Sequence, residues 1–159
     1  MIIRELKPED NKDLAIVIRR TLEEFKVDKP GTVYFDESTD HLSDIFTVNN
    51  SAYFVVELNG EVMGGAGFYP TEGLPDDTVE LVKMYLSSGI RRKGVGQILL
   101  EKCMLTARNL GVEKMYIETM KELTFAISMY EKNGFYHLSK PIGSTGHTGC
   151  DVWMTKNIT

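Results

Sequence analysis

The chain has 159 residues, 42% of them hydrophobic and 26% charged, which is ordinary for a globular protein. This length fits a single domain over residues 1–159, and the composition excludes a disordered chain or a disulfide-rich scaffold. The formal net charge of -5 argues against nucleic acid as a partner, because nucleic-acid binding needs a basic surface. It favours a cationic small molecule or peptide instead.

The sequence also bears on location and on metal binding. It has no run of about 18 apolar residues and no apolar core of a signal peptide, so we expect a cytoplasmic protein that does not bind a membrane. Cys103 and Cys150 lie far apart and neither belongs to a C-x-x-C pair, which favours free thiols over a metal site or a disulfide. Whether the chain forms a homodimer stays open.

The first half of the chain predicts a strand, two helices and a hairpin. "MIIRELK" is typical of a short strand, and apolar residues then recur at helical spacing from Leu14 to Leu22. Ser38 is a candidate N-cap for a second, shorter helix. Residues 52–69 predict a hairpin, because two β-rich runs flank Asn59-Gly60, a pair favoured in two-residue turns.

The second half predicts alternating strands and helices. "TVELVKMYLS" is apolar on both faces, as in a central strand. A helix follows from Gly94 to Gly111, then the strand "EKMYIET", the helix "KELTFAISMYEKNG" and two strands around "GSTGHTG". The order β-α-α-β-β-β-α-β-α-β-β predicts the α/β class, with a central mixed sheet flanked by helices on both faces.

A glycine loop precedes the helix at Gly94. Arg91, Arg92 and Lys93 run into Gly94 and Gly96 as the helix begins. The free N–H groups and the dipole of a helix N-terminus attract anions, and glycine lets a phosphate approach the backbone. A solvated basic turn is the alternative interpretation. The spelling matches neither a Walker loop nor a dinucleotide fingerprint, so neither standard nucleotide loop is predicted.

Two motifs suggest a family. The R-x-x-G-x-G loop lies between a strand and a helix, and "AISMYEKNGF" follows at residues 126–135. With the element order over essentially the whole chain, these motifs resemble the GNAT superfamily of N-acetyltransferases. The resemblance implies the acyl-CoA N-acyltransferase fold, acetyl-CoA as co-substrate and no metal.

The resemblance also implies roles for particular residues. It implies that backbone groups of Met84 and Leu86, expected on the Glu80 face of their strand, pair with the pantetheine arm of CoA. It implies that Tyr130 lies beside the CoA sulfur as a proton donor. Glu80 precedes Arg91 by eleven residues, the spacing of a catalytic base in histone-type members. The residues implied at the CoA pyrophosphate are Arg91, Arg92, Gly94, Val95, Gly96 and Gln97.

The implied reaction is direct transfer of an acetyl group, in a ternary complex, to a primary amine of a small molecule or peptide. The alternative is a non-catalytic acyl-CoA-binding regulatory module of the same fold. Residues 24–50 and the 140–150 loop are expected to shape the acceptor site, and His147 either faces that site or is a hydrogen-bonded turn residue. Leu123 replaces an asparagine that many members use to contact pantetheine.

Overall fold

The computed structural model describes residues 1–159 and forms one seven-stranded sheet, in the order β1-β2-β3-β4-β5-β7-β6. Only β4 and β5 are parallel; the other neighbours are antiparallel. The strands are β1 (Ile2–Glu5), β2 (Ala52–Leu58), β3 (Glu61–Tyr69), β4 (Thr78–Leu86), β5 (Lys114–Thr119), β6 (Tyr136–Leu138) and β7 (Val152–Asn157). The helices are α1 (Asn11–Glu24), α2 (Leu42–Ile45), α3 (Val95–Asn109) and α4 (Thr124–Lys132).

The predicted order of helices and strands is confirmed, and the differences are local. The second helix has only four residues and follows a 3-10 turn over Glu37–Asp40, so Ser38 lies inside that turn and is not a cap. The expected hairpin over residues 52–69 is present. None of the helices combines the length and apolarity that a membrane crossing requires.

Helices pack on both faces of the sheet, as predicted. On one face, Leu14, Ile18 and Leu22 of α1 join a cluster with Tyr53 and Val55. Residues of α3 and α4 form the larger cluster on the other face: Val95, Leu99, Leu100, Cys103, Ala107 and Tyr130. Successive residues of β2 therefore point into different cores, as strand alternation requires.

The sheet opens between β4 and β5. Their parallel pairing runs from Thr78 opposite Lys114 to Glu80 opposite Tyr116 and goes no further. β4 continues to Leu86 without β5, whereas β5 stays paired to β7 through Thr119. This opening lies at the carboxyl ends of the two parallel strands, where ligands of such sheets commonly bind.

A β-bulge interrupts β4 just beyond this point. Val82 pairs with Gly67 and Tyr85 pairs with Gly65, so two residues of β4, Lys83 and Met84, face one residue of β3. Lys83 has a φ of 50°, in the left-handed region. The hydroxyl of Tyr53 donates to the Lys83 carbonyl at 2.8 Å and holds the bulge.

The glycines of β3 make room for the ring that reaches this bulge. A Cβ atom built at Gly65 or at Gly67 would lie 2.6 Å from ring atoms of Tyr53. Only glycine at these positions lets the Tyr53 ring cross β3 to reach Lys83.

The bulge changes which way the following side chains point. Lys83 and Tyr85 remain on the α1 face with Glu80, whereas Met84 and Leu86 pack against the α3 and α4 cluster. The expectation that Met84 and Leu86 share the face of Glu80 is therefore wrong. The extra residue of the bulge shifts the alternation of the strand by one position.

Candidate active site

A cavity of about 290 Å³ lies at the opening between β4 and β5, on the α1 face of the sheet. Residues 32–46 and the loop at 145–150 complete it, and both lie within the segments expected to shape an acceptor site, residues 24–50 and 140–150. Apart from two tyrosines, its ionisable residues are Asp36, Glu80, Lys83, Glu118, His147 and Cys150. The cavity combines this polar end with a wall formed by Ile45, Phe46 and Tyr69.

Glu80 is the most deeply buried of these carboxyl groups, with only 4% of its surface exposed. Burial raises its pKa to about 7, and the charge of Glu118 adds to the effect. The hydroxyl of Thr71 donates to Glu80 Oε2 and, with His147 and Lys83, opposes the rise. A carboxyl group that titrates near neutrality is suited to accept a proton.

Asp36 binds the two basic side chains of the cavity. Its Oδ2 lies 2.7 Å from His147 Nε2 and 3.4 Å from Lys83 Nζ. Burial favours the neutral form of Asp36, but His147 and Lys83 outweigh it and hold the pKa of Asp36 below its usual range. Burial would lower the pKa of His147, but the hydrogen bond and charge of Asp36 raise it overall. Burial lowers the pKa of Lys83.

Glu118 differs from Asp36 in its partners. Its Oε1 accepts a hydrogen bond from the Tyr116 hydroxyl at 2.7 Å, and its Oε2 accepts one from the Thr145 hydroxyl at 2.5 Å. Both partners are neutral. Potential ligand atoms of Glu80, Glu118 and His147 all lie within 4.8 Å of one another, close enough to surround a small cation.

The glycine loop forms a separate site at the start of α3. Arg92 and Gly94 take left-handed φ values of 58° and 81°. The N–H groups from Arg92 to Gln97 donate to no protein acceptor, and the first intrahelical bond runs from Ile98 N to Gly94 O. Adjacent free N–H groups at a helix N-terminus form a site for an anion.

Arg91 does not take the position at the pyrophosphate that the family resemblance implies. Its guanidinium donates to the Leu86 carbonyl at 2.6 Å and to Thr21 Oγ1 at 3.2 Å, and it pairs with Glu24 at 2.7 Å. Its own N–H donates to Ser88 O. Arg91 therefore does not line the anion site but ties the end of β4 to α1, because nearby acceptors on α1 and β4 hold its charge.

The side chains of Arg92 and Gln97 lie on the surface of the protein or close to it. The Arg92 guanidinium lies 5.4 Å from the ring centre of Phe125, which is 64% exposed. The side-chain amide of Gln97 exchanges hydrogen bonds with Asn133 and so links α3 to α4. Only the backbone N–H of Gln97 is left for an anion.

Tyr130 lies on the α3 and α4 face, opposite the cavity. Burial raises its pKa above the usual range, so the hydroxyl stays protonated at neutral pH. That hydroxyl lies 3.7 Å from Met84 Sδ, and a Cβ atom built at Gly96 would lie 3.4 Å from Met84 Cε. Tyr130, Met84 and the glycine loop therefore meet on one side of β4, with Glu80 on the other.

Sequence reasoning did not identify Asp36, Lys83 or Glu118 as site residues. None belongs to a motif, and the strand pairing and the bulge bring them together. The one available signal was the position of Glu118 near the carboxyl end of a predicted strand, the end at which ligands bind. Leu123, in place of the family asparagine, packs against the α1 cluster.

The sequence of the chain is similar to those of known acetyltransferases. A profile of the family described as "Acetyltransferase (GNAT) family" matches residues 18–135. An Escherichia coli K12 protein, "Uncharacterized N-acetyltransferase YjgM", is 39% identical over 159 residues, covering 99% of this chain and 95% of the relative. Human "N-acetyltransferase 8" is 25% identical over 118 residues, covering 70% and 52%.

Solved structures share the fold. An acetyltransferase of the GNAT family from Staphylococcus aureus Mu50 superposes with a TM-score of 0.84 at 16% identity, over 99% of both chains. An aminoglycoside 6'-N-acetyltransferase complexed with coenzyme A gives 0.74 at 20% identity, over 100% of this chain and 98% of that one. These similarities agree with the glycine loop and with the opening of the sheet between β4 and β5. The chain is an acetyltransferase of the GNAT family.

Proposed function

We propose that the enzyme transfers the acetyl group of acetyl-CoA directly to a primary amine of a small molecule or peptide, within a ternary complex. The observation that carries this proposal is Glu80, a buried carboxyl group with a pKa of about 7 at the opening between β4 and β5. An alkylammonium ion with a pKa near 10.4 requires about 4.6 kcal/mol for deprotonation at pH 7, so the reaction needs a proton acceptor. Glu80 supplies it.

The anion site supports acetyl-CoA as the donor. The free N–H groups from Arg92 to Gln97 fit a pyrophosphate, with Gly94, Val95 and Gly96 at its centre. Beyond Glu80, β4 has no β5 neighbour, so its edge at Met84 and Leu86 is open to pair with the pantetheine arm, apart from the Leu86 carbonyl, which already accepts a hydrogen bond from Arg91. The same fold in an enzyme solved with coenzyme A supports this assignment.

Acetyl-CoA supplies an acetyl thioester. The amine nitrogen bonds to the acetyl carbon as the carbon–sulfur bond breaks, and the amine proton passes to Glu80 directly or through water. The Met84 N–H is our candidate donor to the oxygen that gains negative charge. Because burial raises the pKa of Tyr130, its hydroxyl stabilises the departing sulfur by a hydrogen bond, and water supplies the final proton.

The test is thiol release from acetyl-CoA with a panel of primary amines, with the product identified by its mass. In the wild type we expect kcat/KM to fall as the pH drops below about 7, because Glu80 is then protonated.

Glu80→Gln should lower kcat by about 100-fold or more with little change in the acetyl-CoA KM. Tyr130→Phe should lower kcat more than it weakens acetyl-CoA binding.

One outcome would favour the non-catalytic alternative. If the protein binds acyl-CoA but releases no thiol with any amine, and Tyr130→Phe leaves that binding unchanged, the proposed reaction is wrong. An unchanged kcat in Glu80→Gln would instead remove only the proton-acceptor role.

A further inference from the structure

The carboxyl groups of the cavity differ in whether they form ion pairs with basic side chains. Asp36 contacts both Lys83 and His147, whereas Glu118 receives only the hydroxyl hydrogen bonds of Tyr116 and Thr145. Those two bonds fix the direction of the Glu118 carboxyl group but bring no positive charge to it. The polar end of the cavity therefore has a carboxyl group that forms no ion pair with a protein cation.

The Glu118 carboxyl group lies beside the proton acceptor. Oxygen atoms of Glu80 and Glu118 fall within the 4.8 Å cluster that also includes His147. An ammonium group has three N–H donors and can bridge two carboxyl groups at this separation.

We propose that Glu118 binds the ammonium group of the acceptor and positions it against Glu80, so that the substrate is a small cationic amine. This inference rests on the proposed acetyl transfer. Glu80 takes one ammonium proton, and the freed lone pair attacks the acetyl carbon. The nitrogen loses its second proton to water as the carbon–sulfur bond breaks, and Glu118 keeps accepting a hydrogen bond from the N–H that remains on that nitrogen. Glu118 thus acts by charge and position and exchanges no proton.

The rest of the cavity limits the size and polarity of the group that carries the amine. Its volume of about 290 Å³ is at the small end for ligand pockets, which suits a small molecule. Ile45, Phe46 and Tyr69 form an apolar wall, with the Phe46 and Tyr69 rings edge to face at 6.0 Å. A primary amine on a compact apolar group would fit both the carboxyl groups at the polar end and this apolar wall.

Several charged or titratable groups face the two glutamates and affect the pH dependence. They come from β3, β4, β5, the segment before α2 and the C-terminal loop: Tyr69, Lys83, Tyr85, Tyr116, Asp36, His147 and Cys150. Asp36 is paired with the two basic groups, Lys83 and His147. The carboxylate whose charge raises the pKa of Glu80 is Glu118. Removing the Glu118 charge must therefore lower the pKa of Glu80.

The experiment compares the wild type with Glu118→Gln, using the best amine from the acetyl-CoA panel. We expect the amine KM to rise about tenfold or more, the acetyl-CoA KM to stay within about twofold, and the acid limb of kcat/KM to move to lower pH. Glu113→Gln is the matched control, because it makes the same charge change at an exposed residue just before β5. It should behave as the wild type.

A second measurement needs no variant. The N,N-dimethyl form of the same amine is a cation that cannot be stably acetylated, and the analogue with an isopropyl group has the same shape without charge. The cation should inhibit at least about tenfold more strongly than the neutral analogue.

Equal inhibition by the two analogues, or an unchanged amine KM and acid limb in a folded Glu118→Gln variant, would overturn the role of Glu118. A wild type that releases no thiol with any amine would instead overturn the proposed function itself.

Discussion

The burial that suits Glu80 to accept a proton also lowers the stability of the folded protein when this residue is ionised. Its carboxyl group is 4% exposed and its pKa is raised from 4.5 to about 7. The unfolded chain therefore releases the proton at a lower pH than the folded protein does. Between those two pKa values the folded state retains a proton that the unfolded state has lost, so the free energy of unfolding falls as the pH rises.

This linkage predicts that Glu80→Gln stabilises the protein while it removes activity. The stability lost by the wild type between pH 4.5 and about 7 amounts to about 3 kcal/mol and stays lost at higher pH. Glutamine does not titrate, so urea unfolding should show the variant more stable than the wild type at pH 8 and nearly equal to it at pH 4. An equal shift at both pH values would contradict the proposed burial cost.

At the scale of helices and strands, sequence patterns predicted the elements better than the contacts between them. Asn59-Gly60 specified the hairpin, and the two glycines specified where α3 begins. The bulge in β4 could not be predicted, because it depends on a tyrosine of β2 crossing the glycines of β3 to reach Lys83. The contacts of Arg91 with Thr21 and Glu24 of α1 were missed for the same reason: they join residues about 70 positions apart in the chain.

The start of α3 allows a prediction about the donor site. The Cβ position of Gly96 touches Met84 and Met129 at 3.4 Å, so the methyl groups of a valine there would crowd the space beside Tyr130 and the free N–H groups. Gly96→Val should weaken coenzyme A binding by about tenfold or more in isothermal titration. Gly89→Ala is the control, because a Cβ at Gly89 meets no atom within 4 Å. Equal coenzyme A affinity in both variants would remove the loop from the donor site.

At the scale of the whole molecule, the element order was enough to predict the mixed sheet and the helices on both faces. The family motifs were enough to predict Glu80 and Tyr130 as candidates, but not that they lie on opposite faces of β4. The acceptor cavity required the fold, since Asp36, Glu118 and His147 come from separate parts of the chain. The net charge of -5 indicated a cationic partner without indicating which carboxyl groups receive it.

The bulge in β4 has a kinetic consequence. The bulge turns Lys83 towards the cavity and Met84 towards Tyr130. In the proposed reaction we therefore expect the amine and acetyl-CoA to enter from opposite faces of the sheet, without blocking each other, and each product to leave on the side where its parent entered. Coenzyme A should therefore be a competitive product inhibitor against acetyl-CoA and a noncompetitive one against the amine in initial-rate measurements. Competition between coenzyme A and the amine would mean that the two share one entrance.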